Sequence, residues 1–244
     1  MTKKAIIIGA TSGIGKEVAK GLLNDGWTLG IAGRREEELL KLQAEAPEKI
    51  AIQVLDVTQS DSPQKLEELI TKTDGMDLFF LASGIGRQNR ELQLETELKT
   101  VTTNAEGFTR MVVTAFNYFK NRQQGHIAVI SSIAGTRGLG AAAAYSATKR
   151  YQSTYIQALA QLAHIQKYNI CFTDIRPGFV ATPLLDDGRK YPMLMMPEKV
   201  AEEIIRAIKK RKRAVVIDWK YSILVFFWKL IPRCLWERLQ VKTD

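Results

Sequence analysis

The sequence has few of the residues on which disulfide-rich or zinc-binding proteins depend. Its 244 residues include two cysteines, Cys171 and Cys234, far apart in the chain, and two histidines, His126 and His164, without a partner motif. We therefore expect neither a disulfide framework nor a bound metal ion. The apolar run near the N-terminus is short and enters a glycine-rich turn at once, unlike a signal peptide. We expect a cytoplasmic protein.

Long hydrophobic runs are also missing. The C-terminal segment, residues 219–244, holds three of the four tryptophans, but its longest apolar run, Ile223 to Trp228, is far below the roughly 20 residues that a membrane-spanning helix needs. The aromatic residues of 219–239 alternate with cations, which leaves three alternatives: peripheral membrane contact, a cover over the substrate pocket, or contact with another subunit. The cations are Lys220, Lys229, Arg233 and Arg238.

The net charge of +9 is unevenly distributed. From Lys199 onward there are twelve Lys or Arg against five Asp or Glu, so most of the excess lies near the C-terminus and the rest of the chain is almost neutral. The basic stretch at 209–213 fits the end of a helix, where cations suit the dipole. A nearly neutral body argues against a nucleic-acid partner.

Apolar, β-branched runs alternate with segments of helical periodicity along most of the chain. The predicted strands are 5–9, 28–33, 50–57, 77–82, 126–132, 169–175 and 214–218, and the predicted helices are 16–24, 36–46, 63–72, 98–120, 145–167 and 198–211. This order predicts an α/β fold, a Rossmann-type doubly wound parallel sheet of about seven strands with helices on both faces. We expect one domain over 1–218, with ligands bound beyond the carboxyl ends of the strands.

A glycine-rich turn follows the first predicted strand. Glycine permits a tight turn and a close ligand approach, and the start of the next helix offers N–H groups to a phosphate. Because this turn links a strand to a helix at the start of a βαβ unit, it predicts a dinucleotide site; the alternative is an ordinary strand-to-helix turn. The predicted cofactor contacts here are Gly9, Thr11, Ser12, Gly13, Ile14 and Gly15.

The end of the second predicted strand bears on which dinucleotide is bound. Gly33 stands where a site for NAD(H) usually has an acidic residue, and Arg34 and Arg35 follow it. Arginine binds the additional phosphate of NADP(H) with paired donors. We therefore predict NADP(H) rather than NAD(H); in the alternative, the two arginines pair with Glu36 to Glu38 on a solvated helix start.

The stretch AAAAYSATK, residues 141–149, places Tyr145 and Lys149 one helical turn apart on the same face. Ser132 precedes Tyr145 by thirteen residues. With the glycine-rich turn, Asp56, Asn104 and RPGFVAT at 176–182, these motifs occur in an order and spacing that resemble the short-chain dehydrogenases/reductases of the single-domain type. The resemblance is strong over about residues 3–183.

The resemblance implies catalytic roles for four residues. Tyr145 would donate the proton, Ser132 would orient the substrate oxygen, Lys149 would lower the pKa of Tyr145 and hold the ribose, and Asn104 would hold a water that links Lys149 to solvent. A lysine about 4 Å from the phenol at an effective dielectric near 20 contributes roughly 4 kcal/mol, or about three pKa units, before screening. The cofactor contacts it implies are Asp56, Val57, Ala82, Gly84, Tyr145, Lys149, Pro177, Gly178, Val180 and Thr182.

The sequence departs from this family after the fourth strand. Leu81, Ala82, Ser83 and Gly84 replace the usual Asn-Asn-Ala-Gly, so side-chain hydrogen bonds that normally brace the sheet are lost. We expect this change to affect stability and local geometry more than chemistry.

The motifs together predict an NADP(H)-dependent oxidoreductase that interconverts a carbonyl and an alcohol. The apolar residues of the loop 183–196 suggest an apolar small-molecule substrate, although the loop is also suited to be a mobile lid. The alternatives are a dinucleotide sensor without turnover and a membrane-surface adaptor that uses the C-terminal segment. We also expect a homodimer or homotetramer.

Overall fold

Seven strands form one sheet in a computed structural model that describes residues 2–185 and 188–241. The strands are β1 (Lys4–Ile8), β2 (Thr28–Gly33), β3 (Ile50–Val54), β4 (Leu78–Leu81), β5 (Gln124–Ile130), β6 (Asn169–Arg176) and β7 (Ala214–Val216). All neighbouring pairs are parallel, in the order β3-β2-β1-β4-β5-β6-β7. The predicted doubly wound α/β fold is confirmed.

Helices cover both faces of the sheet. They are α1 (Gly13–Asn24), α2 (Glu36–Ala44), α3 (Ser62–Lys72), α4 (Leu94–Val101), α5 (Phe108–Arg122), α6 (Ala143–Ile165), α7 (Pro197–Lys209), α8 (Trp219–Leu230) and α9 (Arg233–Trp236). Along β1, Ile6 and Ile8 pack with α3, α5 and α6, whereas Ala5 and Ile7 pack with α1, α2 and α7. Because successive side chains of a strand point to opposite faces, a strand buried on both sides is apolar throughout.

The predicted single helix over 98–120 is wrong. The chain forms α4, then a π turn (Thr102–Gly107), then α5. A π turn adds a residue to the helical path and is frequent at functional sites. Here it places Asn104, which is fully buried, inside the fold. The third strand is also shorter than predicted and stops at Val54, because β2, its partner, ends at Gly33.

The described part of the C-terminal segment packs against the body of the protein. Tyr221, Val225 and Trp236 are buried. Arg137 donates hydrogen bonds to the main-chain carbonyls of Trp228 and Ile231, at 3.1 and 2.6 Å. Within the residues that the structure describes, no helix has both the length and the apolar character needed to cross a membrane.

Candidate active site

The sheet topology creates a crevice between β1 and β4. The chain runs outward from β1 to β2 and β3 and then returns to place β4 on the other side of β1. At such a switch point the loops after the two central strands separate, and ligands bind beyond the carboxyl ends. The loops that follow β1, β4, β5 and β6 carry most of the predicted site residues, so the topology brings them to one edge of the sheet.

The glycine-rich turn depends on its glycines for backbone conformation and space. Gly9 and Gly13 have φ of +92° and +53°, values that favour glycine. A Cβ at Gly15 would lie 2.1 Å from the carbonyl oxygen of Gly9, and a Cβ at Gly9 would lie 2.7 Å from the backbone nitrogen of Ser83. The turn therefore packs directly on the segment after β4.

The start of α1 fits a phosphate group. Ser12 is the N-cap of α1, but its side chain makes no capping hydrogen bond, so it does not occupy the first N–H groups of the helix. Beside the turn, Thr11 is buried and Ile14 is partly buried. Thr182, from the segment after β6, would lie 2.9 Å from a Cβ placed on Gly13. Two predicted cofactor segments thus meet at this helix start.

The end of β2 explains why position 33 carries glycine. A Cβ there would lie 2.6 Å from Cγ2 of Thr11, so an acidic side chain would collide with the glycine-rich turn. Arg35 donates a hydrogen bond of 2.9 Å from Nη2 to Oγ1 of Thr11, and Nη1 of the exposed Arg34 lies 4.0 Å from Oδ2 of Asp56. The arginines thus reach the turn and the loop after β3.

The acidic start of α2 has other partners. Glu38 pairs with Lys41 at 2.7 Å and with Lys16 at 3.5 Å. These two lysines hold the pKa of the Glu38 carboxyl below its usual value, the hydrogen bond from Lys41 contributing most. The alternative interpretation required Arg34 and Arg35 to pair with Glu36 to Glu38. Among the described residues, Arg34 instead lies near Asp56 and Arg35 bonds to Thr11.

The loop after β3 places Asp56 near the arginines. Oδ1 of Asp56 accepts hydrogen bonds from the backbone nitrogen and the hydroxyl of Thr58, at 2.9 and 2.8 Å, which fixes the carboxylate. Val57 is buried in the core beneath Gly107. Contact of Asp56 and Val57 with a cofactor stays a prediction.

Ser132, Tyr145 and Lys149 come together at the carboxyl end of β5. Ser132 lies beside Tyr145 and acts on the pKa of its phenol. The Ser132 hydroxyl accepts a hydrogen bond of 3.1 Å from the backbone nitrogen of Ala134 and donates one of 3.4 Å to the Pro177 carbonyl. Nζ of Lys149 lies 5.7 Å from the centre of the Tyr145 ring. The three predicted catalytic side chains therefore form one cluster.

The electrostatics of the cluster differ from the sequence expectation. Burial raises the pKa of Tyr145, and the neighbouring Ser132 hydroxyl opposes that shift. Burial also lowers the pKa of Lys149 to about 8, opposed by Asp174. Lys149 was expected to lower the pKa of Tyr145, but its Nζ donates to the Ile130 carbonyl at 2.9 Å, and desolvation of the phenol dominates.

The Asn104 side chain braces the site. Its Oδ1 accepts from the backbone nitrogen of Ile85 at 2.9 Å, and its Nδ2 donates to the Ile85 carbonyl at 2.7 Å and to Oγ1 of Thr148 at 3.2 Å. Asn104 thus ties the loop after β4 to α6. This bracing lies where the usual asparagines after the fourth strand are missing. Its predicted role in holding a water stays a prediction.

Two residues of the cluster were not predicted from the sequence. Gly86 lies under Tyr145: a Cβ there would be 2.4 Å from the phenol ring. Gln152 is 1% exposed and accepts a hydrogen bond of 3.0 Å from Nζ of Lys149. The spacing Tyr145-x-x-x-Lys149-x-x-Gln152 puts all three on one helical face, which is the signal that would have identified Gln152.

The remaining predicted contacts occupy the loops after β4 and β6. Gly84 adjoins the cluster, since a Cβ there would lie 3.3 Å from both Nζ of Lys149 and Oδ1 of Asn104. Ala82 packs on the core and its nitrogen bonds to the Ile8 carbonyl at 2.8 Å. The Pro177 carbonyl accepts from the backbone nitrogen of Ile133 at 3.1 Å, and Val180 is buried.

Helix α8 holds the segment after β6 in place. A Cβ on Gly178 would lie 2.2 Å from the Tyr221 ring. The Tyr221 hydroxyl accepts from the backbone nitrogen of Phe179 at 3.1 Å and donates to the Pro192 carbonyl at 3.0 Å. Asp186 and Asp187, within the predicted substrate loop, lie outside the described residues.

Comparison with known proteins decides the family. The model for the short chain dehydrogenase family matches residues 3–191, more than half of the chain. The chain belongs to the short-chain dehydrogenase family. The sequence prediction of this family is confirmed, and with it membership of an oxidoreductase family.

Relatives of this short-chain dehydrogenase match almost its full length. An uncharacterized oxidoreductase from Myxococcus xanthus is 29% identical, covering 96% of this chain and 95% of the relative. A 3-ketodihydrosphingosine reductase from Bacteroides thetaiotaomicron is 30% identical, covering 84% of this chain and 74% of the relative. The crystal structure of a 3-ketoacyl-(acyl-carrier-protein) reductase from Brucella melitensis, complexed with NADH, has a TM-score of 0.80 and 24% identity, over 88% of this chain and 96% of that one.

Proposed function

We propose that this short-chain dehydrogenase is an NADP(H)-dependent oxidoreductase that interconverts a carbonyl and an alcohol on an apolar small molecule. The observation that carries the proposal is the convergence of Ser132, Tyr145 and Lys149 beside the glycine-rich turn, at the switch point of the sheet. Carbonyl reduction needs a proton donor and a group that holds the substrate oxygen as negative charge develops on it. The cluster contains both.

Each side chain of the cluster has a distinct task. When bound, the nicotinamide dinucleotide supplies or accepts the hydride. Tyr145 holds its proton on the phenol oxygen and passes it to the substrate oxygen, while Ser132 donates a hydrogen bond to the same oxygen. Because burial raises the pKa of Tyr145, the phenol stays protonated at neutral pH, which suits reduction. Lys149 supplies positive charge beside the ring.

The glycine-rich turn and the arginines after β2 would hold the dinucleotide. Gly9, Gly13 and Gly15 leave the backbone accessible, and the first N–H groups of α1 are not capped by a side chain. Arg34 and Arg35 support a preference for the additional phosphate of NADP(H). The solved reductase from Brucella melitensis is described with NADH, so the preference rests on the arginines of this chain.

Cofactor preference is tested by replacing both arginines. A charge-assisted hydrogen bond contributes about 1.5–3 kcal/mol, so Arg34→Ala with Arg35→Ala should raise the KM for NADPH by roughly 10- to 100-fold and leave the KM for NADH almost unchanged. The matched control is Arg238→Ala, an exposed arginine beyond α9. Equal effects on NADPH and NADH would contradict the preference.

The activity is tested by following NADPH absorbance with a panel of apolar ketones and aldehydes. An apolar substrate is supported by Leu184, Met193, Leu194 and Met196, which are all more than 40% exposed near the site. The name of the Bacteroides relative, which specifies a 3-keto substrate, points the same way. NADPH binding without turnover of any panel member would favour the sensor alternative.

A second candidate function is peripheral contact of this protein with a membrane surface. Helix α8 buries Tyr221 and Val225, but Trp219, Phe226 and Phe227 on other sides are 58–68% exposed. Aromatic residues interleaved with Lys220 and Lys229 suit the interface of an anionic bilayer. Phe226→Ser with Phe227→Ser should abolish co-sedimentation with anionic vesicles. These substitutions are preferable to truncation, which would remove the buried Tyr221.

We also propose that the protein forms a homodimer or homotetramer. Exposed apolar residues on α4 support this, since Leu94 is 71% exposed, Leu98 55% and Val101 43%. Exposed apolar patches mark association surfaces. Leu98→Glu should lower the mass measured by light scattering; an unchanged mass would exclude α4 as the interface.

A further inference from the structure

Gln152 occupies a buried position between two parts of the candidate active site. Its Oε1 accepts a hydrogen bond of 3.0 Å from Nζ of Lys149, and its Nε2 donates one of 2.8 Å to the main-chain carbonyl of Asn104. The side chain is 1% exposed. One amide therefore joins the ammonium on α6 to the π turn before α5.

The orientation of the amide follows from its two partners. The Lys149 ammonium has donors and no acceptor, so it must face the amide oxygen, and a carbonyl must face the amide nitrogen. Oxygen and nitrogen of Gln152 are thereby assigned without ambiguity. A side chain that must accept on one side and donate on the other cannot be replaced by an aliphatic, acidic or basic residue without losing a bond.

We infer that Gln152 is a positioning residue of the oxidoreductase, which couples the ammonium of Lys149 to the main chain of Asn104 and so holds that ammonium beside Tyr145. The inference rests on the proposed function. Asn104 was expected to hold a water that links Lys149 to solvent, which stays a prediction; the Gln152 amide separately joins Lys149 to the Asn104 main chain with protein atoms. The Asn104 side chain, meanwhile, is bonded to Ile85 and Thr148.

The other groups around Lys149 do not supply the same bond. Tyr145 lies on the same helix, with its ring 5.7 Å from Nζ. Asp174, from β6, is the acidic group that affects Lys149, and its carboxylate is paired with Arg176 at 2.6 Å and bonded by Ser131. Gln152 and the Ile130 carbonyl are therefore the neutral acceptors of the ammonium.

Two substitutions at this position should shift the titration of Lys149 in opposite directions. Gln152→Met has a similar length but removes the acceptor, which destabilises the charged ammonium and lowers the pKa of Lys149 further. Gln152→Glu places a carboxylate next to the ammonium and raises the pKa of Lys149. The downward shift in Gln152→Met is the diagnostic one, because a residue that only fills space would leave the pKa of Lys149 unchanged when it is replaced by a side chain of similar length.

The test measures both the Lys149 titration and the pH profile of turnover. In protein with 13C-labelled lysine, the Cε signal of Lys149, assigned with Lys149→Arg, is titrated by NMR without substrate. We expect the midpoint of the Lys149 NMR titration to move to lower pH in Gln152→Met and to higher pH in Gln152→Glu. The alkaline limb of the pH profile of kcat should move in the same directions. Loss of positioning in Gln152→Met should also lower kcat by roughly 10- to 100-fold.

The control is Gln157→Met, the same substitution at an exposed position of the same helix, which should leave both measurements unchanged. Wild-type midpoints in both Gln152 variants would overturn the inference. If Gln152→Met does not fold, Gln152→Leu, which also lacks the acceptor, carries the same expected downward shift and is contradicted by the same wild-type midpoint. If wild-type protein reduces no carbonyl while the NMR midpoints shift, the proposed function fails and the coupling to Lys149 stands.

Discussion

The candidate catalytic cluster and the C-terminal segment depart in opposite ways from the usual pattern of buried apolar and exposed polar residues. In the cluster, Asn104 and Lys149 are buried, at 0% and 4% exposure. On α8, Trp219 and Phe226 are exposed, at 68% and 59%. Buried polar groups and exposed apolar groups are the informative exceptions to the burial rule. Both regions adjoin the segment after β6, one at Pro177 and the other at Gly178.

The two regions differ in what stabilises them. The buried polar side chains of the cluster each have hydrogen-bond partners, as burial requires; these side chains are Asn104, Ser132, Lys149 and Gln152. The exposed face of α8 has no such constraint. Contact of its apolar side chains with water is unfavourable in proportion to their area, but it leaves no specific hydrogen bond unmade. Substitutions in the cluster should therefore change turnover, and substitutions on the exposed face of α8 should change contact with other molecules.

The largest expected effect tests the cluster. Tyr145→Phe removes the proton donor, and loss of general acid catalysis typically costs 10²–10⁴-fold. We expect kcat to fall by about this factor, measured by NADPH absorbance, with cofactor affinity retained by calorimetry. The control is Tyr151→Phe on the same helix, whose hydroxyl bonds to Thr109 rather than to the cluster. Turnover close to wild type in Tyr145→Phe would contradict the proton-donor role.

A buried polar group outside the cluster should affect stability instead. His126 is 8% exposed, and burial, with a contribution from Arg211, lowers its pKa from 6.5 to about 4. The Thr173 hydroxyl has one proton, which it donates to the Lys212 carbonyl at 2.6 Å. It must therefore accept the 2.8 Å hydrogen bond that joins it to the His126 ring, so the ring nitrogen is the donor.

The sign of this pH effect follows from proton uptake. Between pH 6.5 and 4 the unfolded chain protonates His126 and the folded protein does not, so the free energy of unfolding falls as pH is lowered through this window. The loss should approach about 3 kcal/mol. Urea titrations at several pH values, compared with His126→Asn, would measure it; an equal decline in the variant would exclude His126 as the source.

A smaller effect is expected at the buried face of α8. Tyr221→Phe removes a hydroxyl that bonds to Phe179 and Pro192, so we expect a loss of about 1–2 kcal/mol in the free energy of unfolding. Denaturant unfolding measures this loss, and a substrate KM raised through the loosened loop should accompany it. Unchanged stability would show that α8 does not hold the segment after β6.

The smallest expected effect is on the exposed face of the same helix. Phe226→Ser should alter the free energy of unfolding by less than about 0.5 kcal/mol, since exposed substitutions away from special features are usually near neutral. The same denaturation experiment measures it. A loss as large as that of Tyr221→Phe would mean that the contrast between the two faces of α8 is wrong.

Most of the fold was predictable because its signals are local. Apolar runs separated by amphipathic segments gave all seven strands, and the glycine-rich turn was recognised from its position between β1 and α1. The π turn was missed because Leu94 to Arg122 has continuous helical character, and nothing local distinguishes a π turn from α-helix. The helical structure of the C-terminal segment was likewise not predicted.

The sequence by itself determined the alternation of strands and helices from which the parallel sheet was predicted, the glycine-rich turn and the shared helical face of Tyr145 and Lys149, because each of these is a pattern of residues close together in the chain. Only the tertiary structure decided the partners of the site: Thr11 for Arg35, Gln152 for Lys149 and the Asn104 carbonyl for Gln152. It also decided that burial raises the pKa of Tyr145. Desolvation and hydrogen bonds between distant segments exist only once the elements are packed, so no local pattern encodes them.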